Sequence, residues 1–216
     1  AVYMQNSGEG NVVNPLMSLT DKDVYHMPLL LIIGWRGEPG VHDEPQHVKQ
    51  GKVTLPLLDA MGIEHTTLSA DENEAEQQVR HAAERMRETG EAYALVIRKG
   101  TFADYKLINT VADESQLTRE KAIQMVAEAM DSRAAAVSTT GKISRELFEY
   151  RAGSGQGHER DFLTVGSMGH ASQIALGIAL SQPDRNIYCF DGDGAVLMHM
   201  GALAITGSVQ PANFYH

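Results

Sequence analysis

Asp191-Gly192-Asp193-Gly194-Ala195 lies between a strand-forming run at 186–190 and a helix-like run at 195–205. In parallel α/β sheets, ligands gather at the carboxyl ends of strands. The glycines let the backbone approach a ligand closely, and a helix start offers unpaired N–H groups to an anion. A carboxylate among those N–H groups would repel a phosphate unless a divalent cation lay between them. Mg2+ takes one or two carboxylates and completes its shell with phosphate oxygens and water. The local chemistry is then a metal-bridged phosphate at Asp193, although an ordinary Asp-Gly turn fits the same residues. A second segment, Gly166-Ser167-Met168-Gly169-His170-Ala171, also joins a strand to a helix. There Gly166 can expose its carbonyl and Met168 offers polarizable apolar surface. A tightly packed turn is the plainer reading.

A third group, Arg36, His42, Asp43, Glu44 and His47, falls in a Gly/Pro-rich stretch after an apolar run. A guanidinium and two imidazoles suit a dianion or proton transfer near neutral pH. A solvated surface loop suits them too. Lys99, at the end of the apolar run 92–97, is a weaker candidate for attracting an anion.

The elements that must position these residues alternate short apolar runs with helical patterns, which indicates α/β layering with largely parallel strands. Runs at 28–33, 92–97, 134–138, 162–165 and 186–190 read as strands, and 64–68 as a shorter one. Asp71, with Glu74 three residues on, caps a helix with the apolar stripe Ala75, Val79, Ala82 and Met86, stopped by Gly90. Asn14-Pro15 reads as a helix start. Residues 53–61 and 144–150 read as helices, and 151–160 as a charged, Gly-rich loop. Thr118 caps a helix with the stripe Ala122, Ile123, Val126, Ala127 and Met130. Residues 101–117 lack a clear period and read as a linker between units 1–100 and 118–216. The chain opens within a strand and stops where another begins, so both units are expected to be truncated. Neither carries a nicotinamide fingerprint or a Walker loop.

Of the 216 residues, 28 are acidic and 18 basic, a formal charge of -10. That field opposes nucleic acid as a partner. An anionic small molecule requires a locally basic site or a metal. The single cysteine, Cys189, excludes an internal disulfide framework and paired-thiolate zinc sites. No apolar run is long enough to span a bilayer and no signal peptide is visible, so a cytoplasmic setting without membrane partners is expected.

The glycine segments at 166–171 and 192–195, a helix and a strand apart, resemble the diphosphate-binding domain of thiamine diphosphate-dependent decarboxylases. Three longer stretches resemble the phosphonopyruvate decarboxylases: 161–171, Trp35-Arg36-Gly37-Glu38-Pro39-Gly40-Val41-His42-Asp43-Glu44-Pro45-Gln46-His47, and Met4-Gln5-Asn6-Ser7-Gly8-Glu9-Gly10-Asn11. The last is also similar to sulfopyruvate decarboxylases. The resemblance covers nearly the whole chain and implies two α/β domains of the thiamine diphosphate-binding fold. Residues 1–100 would be the pyrimidine-binding type and 118–216 the diphosphate-binding type. It implies Mg2+ on Asp193 and cofactor contacts from Gly166, Ser167, Met168, Gly192, Asp193, Gly194 and Ala195. Gly8, Glu9, Gly10 and Asn11 would lie on the pyrimidine side, and Arg36, His42 and His47 would face a 2-keto acid with a second anionic group. The implied reaction converts 3-phosphonopyruvate to phosphonoacetaldehyde and CO2 in phosphonate biosynthesis. Sulfopyruvate, another 2-keto acid, or a non-catalytic phosphate-binding module are the alternatives. In such enzymes the cofactor lies between halves of two subunits, which implies a homodimer or larger homo-oligomer. The glutamate that activates the pyrimidine and the asparagine that completes the metal shell would fall outside the chain. Glu9 is not that glutamate by position.

Overall fold

The structure, a computed structural model, describes residues 1–108 and 115–216. The chain divides into two compact units, Ala1–Thr110 and Val111–His216. Part of the expected linker, 109–114, lies outside the described residues; 101–108 and 115–118 carry neither helix nor strand.

The first unit is a parallel sheet of β1 (Val2–Gln5), β2 (Leu30–Gly34), β3 (Glu64–Thr67) and β4 (Tyr93–Ile97), in the order β1-β2-β4-β3. Strand β4 is buried at every residue, which explains its unbroken apolar run. One face of the sheet packs Leu31, Ile33, Ala94 and Val96 against Leu16, Leu58 and Ile63. The other packs Tyr93, Leu95 and Ile97 against Leu68 and Ala82. The helices are α1 (Glu9–Pro15), α2 (Pro45–Ala60) and α3 (Glu72–Thr89). The Asp71 carboxylate accepts the Glu74 N–H at 3.0 Å, and Gly90 ends α3 in the left-handed conformation. Of its expected stripe, Val79 is exposed while Ala82 is buried and Ala75 and Met86 pack beside it.

Two helices depart from expectation. Pro15 ends α1 rather than starting a helix, and the chain then passes into a π turn over Leu16–Thr20. A proline ring removes one helical hydrogen bond, so α geometry stops there. Helix α2 begins at Pro45, with Pro at the first position, and not at residue 53. Its first two turns carry no apolar stripe, which hid them in the sequence. That start takes His47 out of the loop and into a helix.

The second unit is also a parallel sheet: β5 (Ala135–Ser138), β6 (Asp161–Leu163), β7 (Ile187–Phe190) and β8 (Phe214–Tyr215), in the order β6-β5-β7-β8. Around it run α4 (Arg119–Ala129), α5 (Lys142–Gly153), α6 (Ala171–Ser181), α7 (Asp193–Met198) and α8 (Gly201–Val209). Thr118 caps α4 by accepting the Lys121 N–H. The core joins Val137, Ile187 and Cys189 to the small residues Ala171, Ala175 and Ala179 of α6. Helix α5 continues to Gly153, because Arg151 pairs inward with Asp161 at 3.2 Å and does not enter the loop. The expected helix over 195–205 is two helices, α7 and α8, separated by His199 and Met200. Among the described residues no helix is long and apolar enough to cross a membrane.

Candidate functional site

Strand β7 ends at Phe190, and Asp191 and Gly192 lead into α7. Asp191 accepts the Gly192 N–H at 3.0 Å. Asp193 opens α7 with its side chain exposed, and its Oδ1 accepts the Gly194 N–H at 2.8 Å. Gly194 faces the second glycine segment: a Cβ there would stand 3.1 Å from Met168 Cε. Gly169, at φ +90, has Ala195 O 3.0 Å and His199 Cδ2 2.4 Å from where its Cβ would be. The two segments therefore touch through backbone that only glycine leaves bare. Ser167 takes a left-handed φ of 51, a conformation non-glycine residues rarely hold without a reason. Met168 is 41% exposed, Gly166 half-buried and Ala195 buried.

Gly192 packs beside Thr139, whose Oγ1 is buried without a hydrogen-bond partner. An orphaned buried hydroxyl is expensive, and a bound oxyanion or its water would relieve it. An exposed carboxylate, bare glycine backbone and an unpartnered hydroxyl together fit a metal-bridged diphosphate. Asp191 borders a cleft of about 490 Å³ together with Cys189 and His216. One ligand-type atom from each of the three lies within 4.8 Å of the others. Strand alternation puts Cys189 and Asp191 on one side of β7 and pairing with β8 brings His216 alongside. The sequence alone did not show this group. Burial pushes the Cys189 thiol up to about 12.

In the first unit, Asn6 ties the expected pyrimidine-side segment to the Arg36 loop. Its Nδ2 donates to Arg36 O at 2.8 Å and to Thr54 Oγ1 at 2.9 Å, while its Oδ1 accepts the Arg36 N–H at 3.1 Å. The sequence offered no signal for this role, since Asn6 looks like any loop amide. Gly8 is half-buried, and Gly10 and Asn11 are exposed. Glu9 is buried, at 4% exposure, and its Oε1 has no partner. Burial pushes its carboxyl up to about 7.

Arg36 donates from Nε and Nη2 to the two oxygens of Asp43, at 2.8 and 2.5 Å. Asp43 also accepts the Gly37 and Glu44 N–H groups. The guanidinium chiefly, with these N–H groups, holds the Asp43 carboxyl well below the usual carboxylate range. A cleft of about 630 Å³ opens here, at the carboxyl ends of β1, β2 and β4. Arg36, His42, Asp43, Arg98 and Lys99 line it. His47 does not: it sits in the first turn of α2 with Nδ1 buried and unpartnered, its carbonyl packed onto Gly37. The structure thus brings Arg36 and His42 to one cleft and puts His47 behind the loop. Arg98, which the sequence did not single out, borders the same cleft and pairs with Glu38 at 2.9 Å.

Residues 140–208 match the family of the thiamine pyrophosphate enzyme, C-terminal TPP binding domain. The chain is similar to the phosphonopyruvate decarboxylases. It is 34% identical to the phosphonopyruvate decarboxylase of Streptomyces viridochromogenes and 35% identical to that of Streptomyces hygroscopicus. Each comparison covers 98% of this chain and 55% of the relative. The chain therefore spans about half the length of the curated relatives it matches. It is 37% identical to sulfopyruvate decarboxylase subunit beta of Methanocaldococcus jannaschii, over 43% of this chain and 46% of that one. The matched domain contains the Met168 and Asp193 segments and all of α5, α6 and α7. The two parallel α/β units agree with the thiamine diphosphate-binding fold.

Proposed function

We propose that the protein carrying this chain is a thiamine diphosphate- and Mg2+-dependent decarboxylase of 3-phosphonopyruvate, releasing CO2 and phosphonoacetaldehyde. The observation that carries the reading is the exposed Asp193 carboxylate beside bare glycine backbone and Met168, inside the matched cofactor domain. Loss of CO2 leaves an electron pair on the former carbonyl carbon, and the bound cofactor supplies the sink that no side chain offers. Asp193 would hold the metal, and the Ala195 N–H, with the Gly194 N–H once Asp193 releases it to take the metal, would meet the diphosphate, with Gly192 leaving room for it. The Gly166 carbonyl would accept from the aminopyrimidine. Met168 would wedge the cofactor into its bent form, with Ser167 holding the turn. Gly8, Glu9, Gly10 and Asn11 would serve the pyrimidine side. His42 and Arg36 would face the substrate at the first unit's cleft, and His47 would support their loop from α2.

The relatives named phosphonopyruvate decarboxylase are 34% and 35% identical over 98% of the chain, against 27% over the same share for a sulfopyruvate decarboxylase, which favours the first substrate. The likeness to a sulfopyruvate decarboxylase subunit supports sulfopyruvate as the second reading. We also propose a homodimer or larger homo-oligomer. A lone free cysteine without a disulfide suits a cytoplasmic setting. The test uses the full-length protein. Mg2+ and thiamine diphosphate added together should raise Tm, with little effect from either alone, and Asp193→Asn should abolish the rise. No joint stabilisation would leave only a non-catalytic module. Turnover of both keto acids separates the two substrates, and sedimentation as monomer alone would remove the oligomer.

A further inference from the structure

We infer that Lys99 is the residue that recognises the second anionic group of the substrate, its phosphonate or sulfonate end. The identity of the ligand rests on the decarboxylase reading; the charge balance of the cleft does not.

The cleft opens where the carboxyl ends of β1, β2 and β4 present Gln5, Gly34 and Ile97, the usual place for a ligand on a parallel sheet. Three side chains there carry permanent positive charge: Arg36, Arg98 and Lys99. Two are already matched. Arg36 is bound through two nitrogens to Asp43, which is itself fixed by two backbone N–H groups. Arg98 is paired with Glu38 at 2.9 Å. Each guanidinium keeps unused Nη donors, but its charge is already offset by a carboxylate, which weakens its pull on a dianion. Lys99 makes no ion pair among the described residues. It is exposed, and Gly100, at φ +82, turns the chain directly after it. Lys99 also borders a smaller cleft near Glu74, whose Oε2 already accepts from Ser69 Oγ at 2.7 Å.

The protein's charge of -10 opposes a dianion at long range. One uncompensated ammonium at the cleft supplies the local attraction that the composition lacks. Its three donors on a flexible stem suit the oxygens of a tetrahedral end group.

The test titrates the full-length protein with 3-phosphonopropionate, which has both anionic ends but no keto group to decarboxylate. Trp35, the one tryptophan, lines the cleft, so its fluorescence reports occupancy. The wild type should show a saturable change. Lys99→Met should raise Kd about tenfold or more, since it removes a charge-assisted hydrogen bond. Lys99→Arg should keep Kd within about threefold. Propionate, lacking the end group, should respond identically in all three proteins. In turnover, Lys99→Met should raise KM for 3-phosphonopyruvate, leave kcat nearly unchanged and leave the constants for pyruvate unaltered. No saturable change in the wild type, an unchanged Kd in Lys99→Met, or an equal loss for propionate would overturn the inference. Failure of the wild type to turn over any keto acid with cofactor and metal would overturn the decarboxylase reading alone. The fluorescence titration would still decide the role of Lys99.

Discussion

Replacing Glu9 by glutamine should flatten the pH dependence of the first unit's stability. The carboxyl is buried at the start of α1 with one oxygen unpartnered, and burial raises it from 4.5 to about 7. Between those values the folded state binds a proton that the unfolded chain has released. The contribution of Glu9 to stability is therefore fully present below 4.5 and is lost as pH rises through 7. At about 1.4 kcal/mol per pH unit, the loss amounts to about 3 kcal/mol. Glutamine cannot ionise, so the variant escapes it. Its buried amide carries a desolvation cost of its own, which shifts both ends of the profile equally. The quantity to measure is thus the difference between Glu9→Gln and wild type at pH 8, minus the same difference at pH 4.5. Urea denaturation followed by Trp35 fluorescence reads it, because Trp35 packs against the core of the same unit. The variant should gain about 3 kcal/mol relative to wild type across that range. Parallel profiles for the two proteins would show that Glu9 titrates as an ordinary surface carboxylate, and the argument from its burial would fail.

Gly194→Ala should leave Tm nearly unchanged, since alanine favours a helix, yet weaken the joint stabilisation by Mg2+ and thiamine diphosphate. The new Cβ would press on Met168 Cε at 3.1 Å. Gly51→Ala should destabilise the first unit by about 3 kcal/mol in the same denaturation assay. Its Cβ would fall 1.7 Å from Gly37 O and 2.7 Å from Arg36 O, so the substrate-side loop must move. Cys189 should resist alkylation at pH 8 in the native protein and react at once in urea, because burial pushes its thiol up to about 12. Rapid native labelling would contradict the packing of β7.

The central strands were readable because they are short apolar runs, buried at every residue in β4 and β5. Helix α3 was readable because its cap, Asp71, and its stop, Gly90, act within four residues of their partners. Two glycine segments between strand and helix were legible as such for the same reason: strand, turn and helix start are local chemistry. Where local signals are missing, the sequence misleads. The first half of α2 is polar, so its start at Pro45 was hidden, and with it the removal of His47 from the loop. The break between α7 and α8 was equally silent, since 195–205 is apolar enough to be read as one helix.

What the sequence by itself determined, then, is the α/β alternation, the parallel sheets and the positions of the loops that end their strands. Hydrophobic period, caps and glycines are read over a few residues, and a resemblance is carried by such short strings. Only the tertiary structure decided which charges remain available. The pairing of Arg36 with Asp43 and of Arg98 with Glu38 is set by where three strand ends and a helix start meet. Glu38 and Arg98 stand sixty residues apart, and no periodicity in the chain announces that they neutralise each other. The same holds for the contact of Gly194 with Met168 and the burial of the Glu9 carboxyl with one oxygen unpartnered. A charge or a void is defined by its neighbours in space, and the chain folds far apart residues into that neighbourhood.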